Sequence, residues 1–311
     1  MNTQNSLQEP SGVLIVYKHS GMTSHDVVNK IRRLYGTRRV GHTGTLDPMA
    51  TGVLVVLIGR AAKASEYLAT DSKRYRATLR LGLTTDTEDT TGRVLTSCES
   101  LPSFAMVEDI LPQFRGKIQQ IPPMYSALKV NGQKLVDLAR KGQTVERQPR
   151  DIEIFSLEAT PTDDPAAILL DVCCSGGTYI RSLCADIGQA LGCGGAMASL
   201  ERTETGGFSL AQAHTLDELE RMSDLERQTL LIPVELLFQT LPAITLPAFF
   251  EKLCRSGCEI YLSKLKKTFP AETRVRLCDE SGKFFALGEI REYEKGLAAK
   301  AIKTFSLHDT V

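Results

Sequence analysis

Apolar residues recur in two rhythms along the chain, and the change of rhythm predicts where the elements change. Val13-Leu14-Ile15-Val16-Tyr17 is a short continuous apolar run, the mark of a buried strand. Ser24 then offers a cap for a helix that carries Val27, Val28, Ile31 and Leu34 on one side, with Gly36 just past its end. A Gly-rich segment, 41–52, leads into a second buried strand, 53–58. From Lys73 to Leu81 the period drops to two. Tyr75, Ala77, Leu79 and Leu81 face one way, and Arg74, Arg76, Thr78 and Arg80 the other, so the open face of this strand is basic.

Residues 84–92 (TTDTEDTTG) have turn chemistry, and a helix is predicted around 103–114. Asn131-Gly132 signals a tight hairpin turn. Strands are predicted at 151–159 and 167–174. Ile180, Leu183, Ile187 and Leu191 make the stripe of a helix over 179–191, ending before Gly192. Thr215 and Glu218 fit a capping box that opens another helix. Pro242 and Pro247 break the pattern, and beyond them TRVRLC and FFALGEI, joined by DESGK, read as a small β-rich module. The expected layout is a polar tail at 1–12, a large domain at 13–242 and a small one at 248–311. Strands and helices alternate too irregularly for a repeated βαβ plan, so the class is α/β mixed (α+β).

Composition narrows the picture. At roughly 150 residues per domain, 311 residues suit two domains. The longest apolar run, 53–58, falls far short of the roughly 20 residues of a membrane span. The first dozen residues lack the basic and apolar regions of a secretory signal, which predicts a cytoplasmic protein without membrane attachment. The eight cysteines have no nearby histidine and no repeated C-x2-C spacing, so reduced thiols are expected and zinc is not. Lys plus Arg equals Asp plus Glu, at 37 each, which argues against a wholly basic nucleic-acid coat protein. Yet Tyr17–Leu81 holds 12 basic and 4 acidic residues, a concentration that predicts one face able to meet polyanions.

Common cofactor motifs are missing: no G-x-G-x-x-G after a strand, no G-x4-G-K-[ST], no G-x-S-x-G and no H-E-x-x-H. The segment Arg38–Gly52 stands out instead. Three glycines bracket His42 and Asp47, and Pro48 disfavours the α region for Asp47. An acid on a Gly-rich loop beside an imidazole and two arginines suits close approach of a ligand. A turn in which the Asp caps its own backbone is the plainer reading.

GHTGTLDPMATGVL resembles the catalytic signature of the TruB family of tRNA pseudouridine synthases, in its bacterial stand-alone form. The resemblance extends in order to Lys18 with Gly21–Ser24, Lys73-Arg-Tyr75, Leu81-Gly-x2-Thr-Asp-Thr-x-Asp89, Ile121-Pro-x-Met-Tyr-Ser-Ala-Leu128, Gly177-Thr-Tyr-Ile-Arg181 and Leu200-x-Arg-Thr-x3-Gly-Phe208. It covers roughly residues 13–210. His19 stands where the family usually has Pro, Gly176 where a Lys commonly precedes Gly-Thr-Tyr, and Val136 where a Tyr is common.

The resemblance implies a pseudouridine synthase fold: a mixed, largely antiparallel sheet with flanking helices, and a small C-terminal PUA-like domain. It also implies isomerisation of a uridine in the T-arm loop of tRNA, at the position called 55, by base flipping. Asp47 is the implied catalytic carboxylate, acting at C6 of uracil or at C1′ of the sugar, with Arg181 as its ion-pair partner. Tyr75 is implied to stack on uracil and serve a late proton movement. By pattern alone Tyr75 reads as core. His42 is the implied wedge, and Tyr179 and Leu200 line the base pocket. Lys18, Arg38, Arg39, Arg74, Arg76, Asp89 and Lys129 are candidate RNA contacts, since backbone phosphates dominate such affinity. Residues 124–150, with six Lys/Arg and two Asp/Glu, are expected to form a mobile lobe that closes on RNA. No metal or cofactor is expected for a net isomerisation. A monomer with no obligatory protein partner is expected. A non-catalytic RNA-binding protein on the same fold is the rival reading, which the presence of Asp47 disfavours. A hydrolase using Asp47 as nucleophile ranks below both.

Overall fold

Ten strands form one mixed sheet in the computed structural model, which describes residues 9–67, 72–130 and 132–306. The order across it is His214–Thr215, Gly12–Lys18, Thr51–Ile58, Gly195–Thr205, Lys73–Leu81, Ala167–Cys174, Arg150–Pro161 and Gly116–Gln120. Val40–His42 and Phe208–Ser209 add to it as short side pairings. Pairing is antiparallel except between Gly12–Lys18 and His214–Thr215 and between Thr51–Ile58 and Gly195–Thr205. The latter junction is a seam, formed by Glu201 opposite Thr51 and Arg202 opposite Gly52. Gly52 has φ +102°, and a Cβ there would stand 2.3 Å from the Arg202 carbonyl oxygen, so the close approach of the two strands requires glycine.

Each half of the sheet has its own core. On one side of the seam, the helices Phe104–Ile110 and Ile180–Ala190 cover Leu79, Leu81, Leu157, Leu170 and Val172. On the other side, the helix Ser24–Leu34 buries Val27, Val28 and Ile31 against Leu14, Leu54 and Val56. The opposite face of that half packs Val13, Val53 and Val55 against Phe238, Phe284, Leu287 and Phe305. Val53–Ile58 is therefore covered on both faces, which is why it reads as a continuous apolar run. Each of its six side chains is 2% exposed or less, worth about 1.5–3 kcal/mol apiece in transfer free energy.

A second sheet runs Ala243–Thr245, Arg274–Cys278, Phe284–Tyr293, Gly296–Thr304 and Ile260–Tyr261, with its own core of Ile244, Leu246, Phe285 and Ile290. The predicted strands at 151–159 and 167–174 correspond to Arg150–Pro161 and Ala167–Cys174, and the predicted helix at 179–191 to Ile180–Ala190. Residues 1–8 of the expected tail and Asn131 of the expected turn lie outside the described residues. All eight cysteines are free thiols. Among the described residues, no helix is long and apolar enough to cross a membrane.

One cap differs from its sequence expectation. Thr23, not Ser24, caps the first helix: its side chain accepts from the Asp26 N–H while the Asp26 carboxylate accepts from the Thr23 N–H. An acid three residues after Thr23 completes a capping box, whereas Ser24 has Val27 at that spacing. The Ser24 hydroxyl is thereby released for the loop described next.

Candidate active site

The segment 43–50 has no regular structure, and the groups that hold it come mostly from outside it. Ser24 Oγ accepts from the Leu46 N–H at 2.9 Å and lies 3.1 Å from the Leu46 carbonyl. Lys18 Nζ donates to the carbonyls of Ala50 (2.6 Å), His19 (3.0 Å) and Pro48 (3.2 Å). Arg202 donates to Val53 (2.8 Å), Gly44 (3.0 Å) and Thr45 (3.4 Å). Backbone carbonyls away from secondary structure need donors, and two buried cations supply them here. The Ala50 N–H closes the remaining turn onto the Asp47 carbonyl at 3.0 Å.

So framed, the Asp47 side chain points at Arg181. Arg181 Nε and Nη2 donate to the two carboxylate oxygens at 2.8 and 3.3 Å, a fork-to-fork pair. Arg181 is in the first turn of Ile180–Ala190, and its remaining donors reach the carbonyls of Thr87 (3.0 Å) and Tyr125 (2.8 Å). The arginine side chain is 5% exposed and the Asp47 side chain 34%. A rigid, sheltered guanidinium thus presents a carboxylate that solvent, and hence a ligand, can reach. The Asp89 carboxylate lies 3.9 Å from the same Nε but is buried.

Tyr75 lies in the core beneath, in one cluster with Leu46, Ala50 and Leu200. Burial pushes its phenol above the usual range, and Arg202, beside the hydroxyl, works against that rise. Leu200 is buried on the adjoining strand. Tyr179 precedes the Arg181 helix. Its N–H donates to Gln120 Oε1 at 2.8 Å and its carbonyl accepts from Gln120 Nε2 at 3.0 Å, so a buried amide from the sheet edge fixes it. Burial raises its phenol too. His42 ends the strand Val40–His42, with Nδ1 buried and unbonded. Burial, then the nearby Arg202, lowers its pKa and favours the neutral ring.

Other candidates lie elsewhere. Lys18 is 0% exposed and its ammonium is used on three carbonyls, so it braces the loop from beneath. The Asp89 carboxylate is buried as well and accepts from the Thr91 N–H and from the hydroxyls of Thr87 and Thr91, closing its own loop. Arg74 and Arg76 sit across the sheet from Tyr75 and face Asp171 and Glu201 at 3.8 Å each. Arg38, Arg39 and Lys129 are exposed, with Arg39 touching Glu9. His19 packs its ring edge against Tyr17, 5.0 Å between centroids. Arg202 and Ser24 are the contributors that site-by-site reading of the sequence missed. Arg202 carried one signal, a charge two residues from Leu200 on the inward face of a strand.

A carboxylate held by a buried arginine at the seam of a mixed sheet can be set against known proteins. Residues 32–180 match the model of the TruB family pseudouridylate synthase N-terminal domain, and residues 181–239 that of the tRNA pseudouridylate synthase B C-terminal domain. The tRNA pseudouridine synthase B of Clostridium kluyveri is 42% identical over 288 residues, covering 91% of this chain and 96% of its own length. That of Neisseria gonorrhoeae is 37% identical over 292 residues, 94% of each. A chain in the crystal structure of a Cbf5-Nop10-Gar1 complex shares the fold, with a TM-score of 0.72 at 24% identity over 98% of this chain and 88% of that one. Fold and site thus define a pseudouridine synthase, an isomerase. Within that class, the chain belongs to the TruB family.

Proposed function

We propose that this enzyme converts one uridine in the T-arm loop of tRNA, the position called 55, to pseudouridine. The substrate class rests on the names of the relatives, which act on tRNA. The observation that carries the chemistry is the half-accessible Asp47 carboxylate in a two-point pair with sheltered Arg181. In the net reaction the N1–C1′ bond breaks, the uracil turns, and a C5–C1′ bond forms. C5 gives up its proton and N1 gains one, so atoms balance without oxidant or reductant. Asp47 drives cleavage, and Arg181 keeps it aimed.

Reaching the bond requires the uridine to leave its stack, which costs a few kcal/mol. His42 fills the vacated place as a neutral ring. Tyr75 meets the flipped base, with Tyr179 and Leu200 lining its pocket. Arg38, Arg39 and Lys129 take phosphates. Residues 13–242 perform catalysis, with 124–150 as an RNA-closing lobe whose Tyr125 carbonyl already touches Arg181. Residues 248–311 form a PUA-like RNA-binding domain. The enzyme works in the cytoplasm as a monomer, without metal or cofactor.

The test compares an unmodified full-length tRNA transcript, its isolated T-arm hairpin and an anticodon-arm hairpin over a range of salt. The expected result is one pseudouridine in the first two, none in the third, and a steep loss of affinity with salt as condensed counterions compete. Modification of the anticodon arm but not the T-arm overturns the position. Binding of all three with no modification favours the non-catalytic reading.

A further inference from the structure

Arg202 heads the largest fully buried side chains of the described residues, 1% exposed, and its acceptors are unusual for a buried cation. Two are loop carbonyls, of Gly44 and Thr45, and a third is that of Val53 in the strand Thr51–Ile58, so the acceptors stand on both sides of Asp47 in the chain. Tyr75 is a further neighbour. The two residues are direct cross-strand partners on antiparallel strands, Arg202 opposite Tyr75, and both face the core. Side chains so paired have Cβ atoms about 4.5–5.5 Å apart. The guanidinium stands beside the phenol oxygen. A buried cation costs several kcal/mol unless it is well hydrogen-bonded, and Lys18, another cation under the same loop, adds repulsion. Packing alone gives no reason for a guanidinium there.

Its donor geometry does. Arginine has five N–H donors and no acceptor. Toward Arg202 the Tyr75 oxygen can therefore only accept, and its own O–H is left for another partner. We propose that Arg202 is a positioning residue that couples the two working groups of the site: one planar guanidinium fixes the carbonyls flanking Asp47 and turns the Tyr75 hydroxyl toward the substrate. This rests on the reading above in which Tyr75 meets the flipped uracil. Lysine cannot replace it, because one ammonium with three donors cannot span three carbonyls and a phenol.

The test is a double-mutant cycle in the full chain, read by single-turnover pseudouridine formation and by affinity for an unmodified tRNA transcript. Wild-type activity on that transcript checks the underlying reading by itself. Arg202→Lys is expected to slow the single-turnover step about 10- to 100-fold while the tRNA Kd stays within about threefold. In a Tyr75→Phe background, which has no hydroxyl to orient, the same substitution is expected to cost much less, because coupled residues are not additive. An equal loss in both backgrounds, an unchanged rate, or a loss confined to tRNA affinity overturns the proposal. If Arg202→Lys does not fold, the Arg202 Nη–H resonances of 15N-arginine-labelled protein are compared between wild type and Tyr75→Phe. The proposal expects a slowly exchanging signal that shifts on loss of the hydroxyl, and a signal that does not shift overturns it.

Discussion

Two loops from distant parts of the chain bring a carboxylate to Arg181, and they use it in opposite ways. The segment 43–50 satisfies its backbone from outside, through Lys18, Ser24 and Arg202, so that Asp47 has nothing to do but face the guanidinium and solvent. In the segment 84–92 the acid is tied up from within: Asp89 accepts from Thr87 and Thr91, and the Thr85 hydroxyl donates to the Asp89 carbonyl. Its carboxylate is 8% exposed against 34% for Asp47. One acid is tied into its own loop, and the other is left facing the guanidinium and solvent by bracing that comes from elsewhere.

The sharpest way to break this comparison is to neutralise each acid in turn. Asp47→Asn is expected to lower single-turnover pseudouridine formation by at least about a thousandfold while tRNA affinity changes less than about threefold, since phosphate contacts position the RNA. Asp89→Asn is expected to lower the rate only about 10- to 100-fold, with a stability loss of about 1–3 kcal/mol in urea unfolding, because it weakens a buried acceptor of several donors. If Asp89→Asn were as inactive as Asp47→Asn at unchanged stability, the division of labour would be wrong.

A smaller effect sharpens the bracing side. Burial lowers the Lys18 ammonium to about 8, while the unfolded chain keeps the ordinary value near 10.5. Between those values the unfolded state holds the proton and the folded state releases it, so this residue makes stability rise with pH across that window. Below about pH 8 both states are charged, and the cost of burying the ammonium is present in full. Other groups titrate in the same range, so the quantity to measure is the stability of wild type relative to Lys18→Met by urea unfolding at several pH values. It is expected to improve from pH 8 toward 10.5. A flat or falling difference would mean that Lys18 keeps its charge in the fold.

The same contrast explains which parts of the site were legible in the sequence. Asp47 was, because glycines and a proline around one acid leave a local mark. The core-facing side of Lys73–Leu81 was legible through its strict alternation. The pairing of Asp47 with a residue 134 positions away has no local trace, and only the resemblance supplied it. Lys18 and Asp89 were read as RNA contacts because a charge in sequence suggests surface, whereas here each is buried and matched to backbone or hydroxyl groups. Arg202 was hidden for the same reason, and Ser24 because Thr23 took the cap assigned to it.

The least effect is expected where sequence reading saw a basic stripe. Arg74 and Arg76 are half exposed, but they lie on the sheet face opposite Tyr75, and each stands 3.8 Å from a carboxylate on a neighbouring strand, Asp171 or Glu201. Cross-strand register, which no local pattern encodes, supplies those partners. Exposed pairs of this kind contribute about 0–1 kcal/mol each to stability. The Arg74→Ala/Arg76→Ala protein should therefore bind a tRNA transcript within about twofold of wild type, with the same slope of log affinity against log salt. Arg38→Ala/Arg39→Ala, next to the Asp47 loop, should instead flatten that slope by about one to two, as expected when two phosphate contacts and their released counterions are lost. Equal flattening in both double variants would mean that the RNA reaches around the sheet to its far face, and the Asp47 side would no longer be the single RNA-binding surface of this domain.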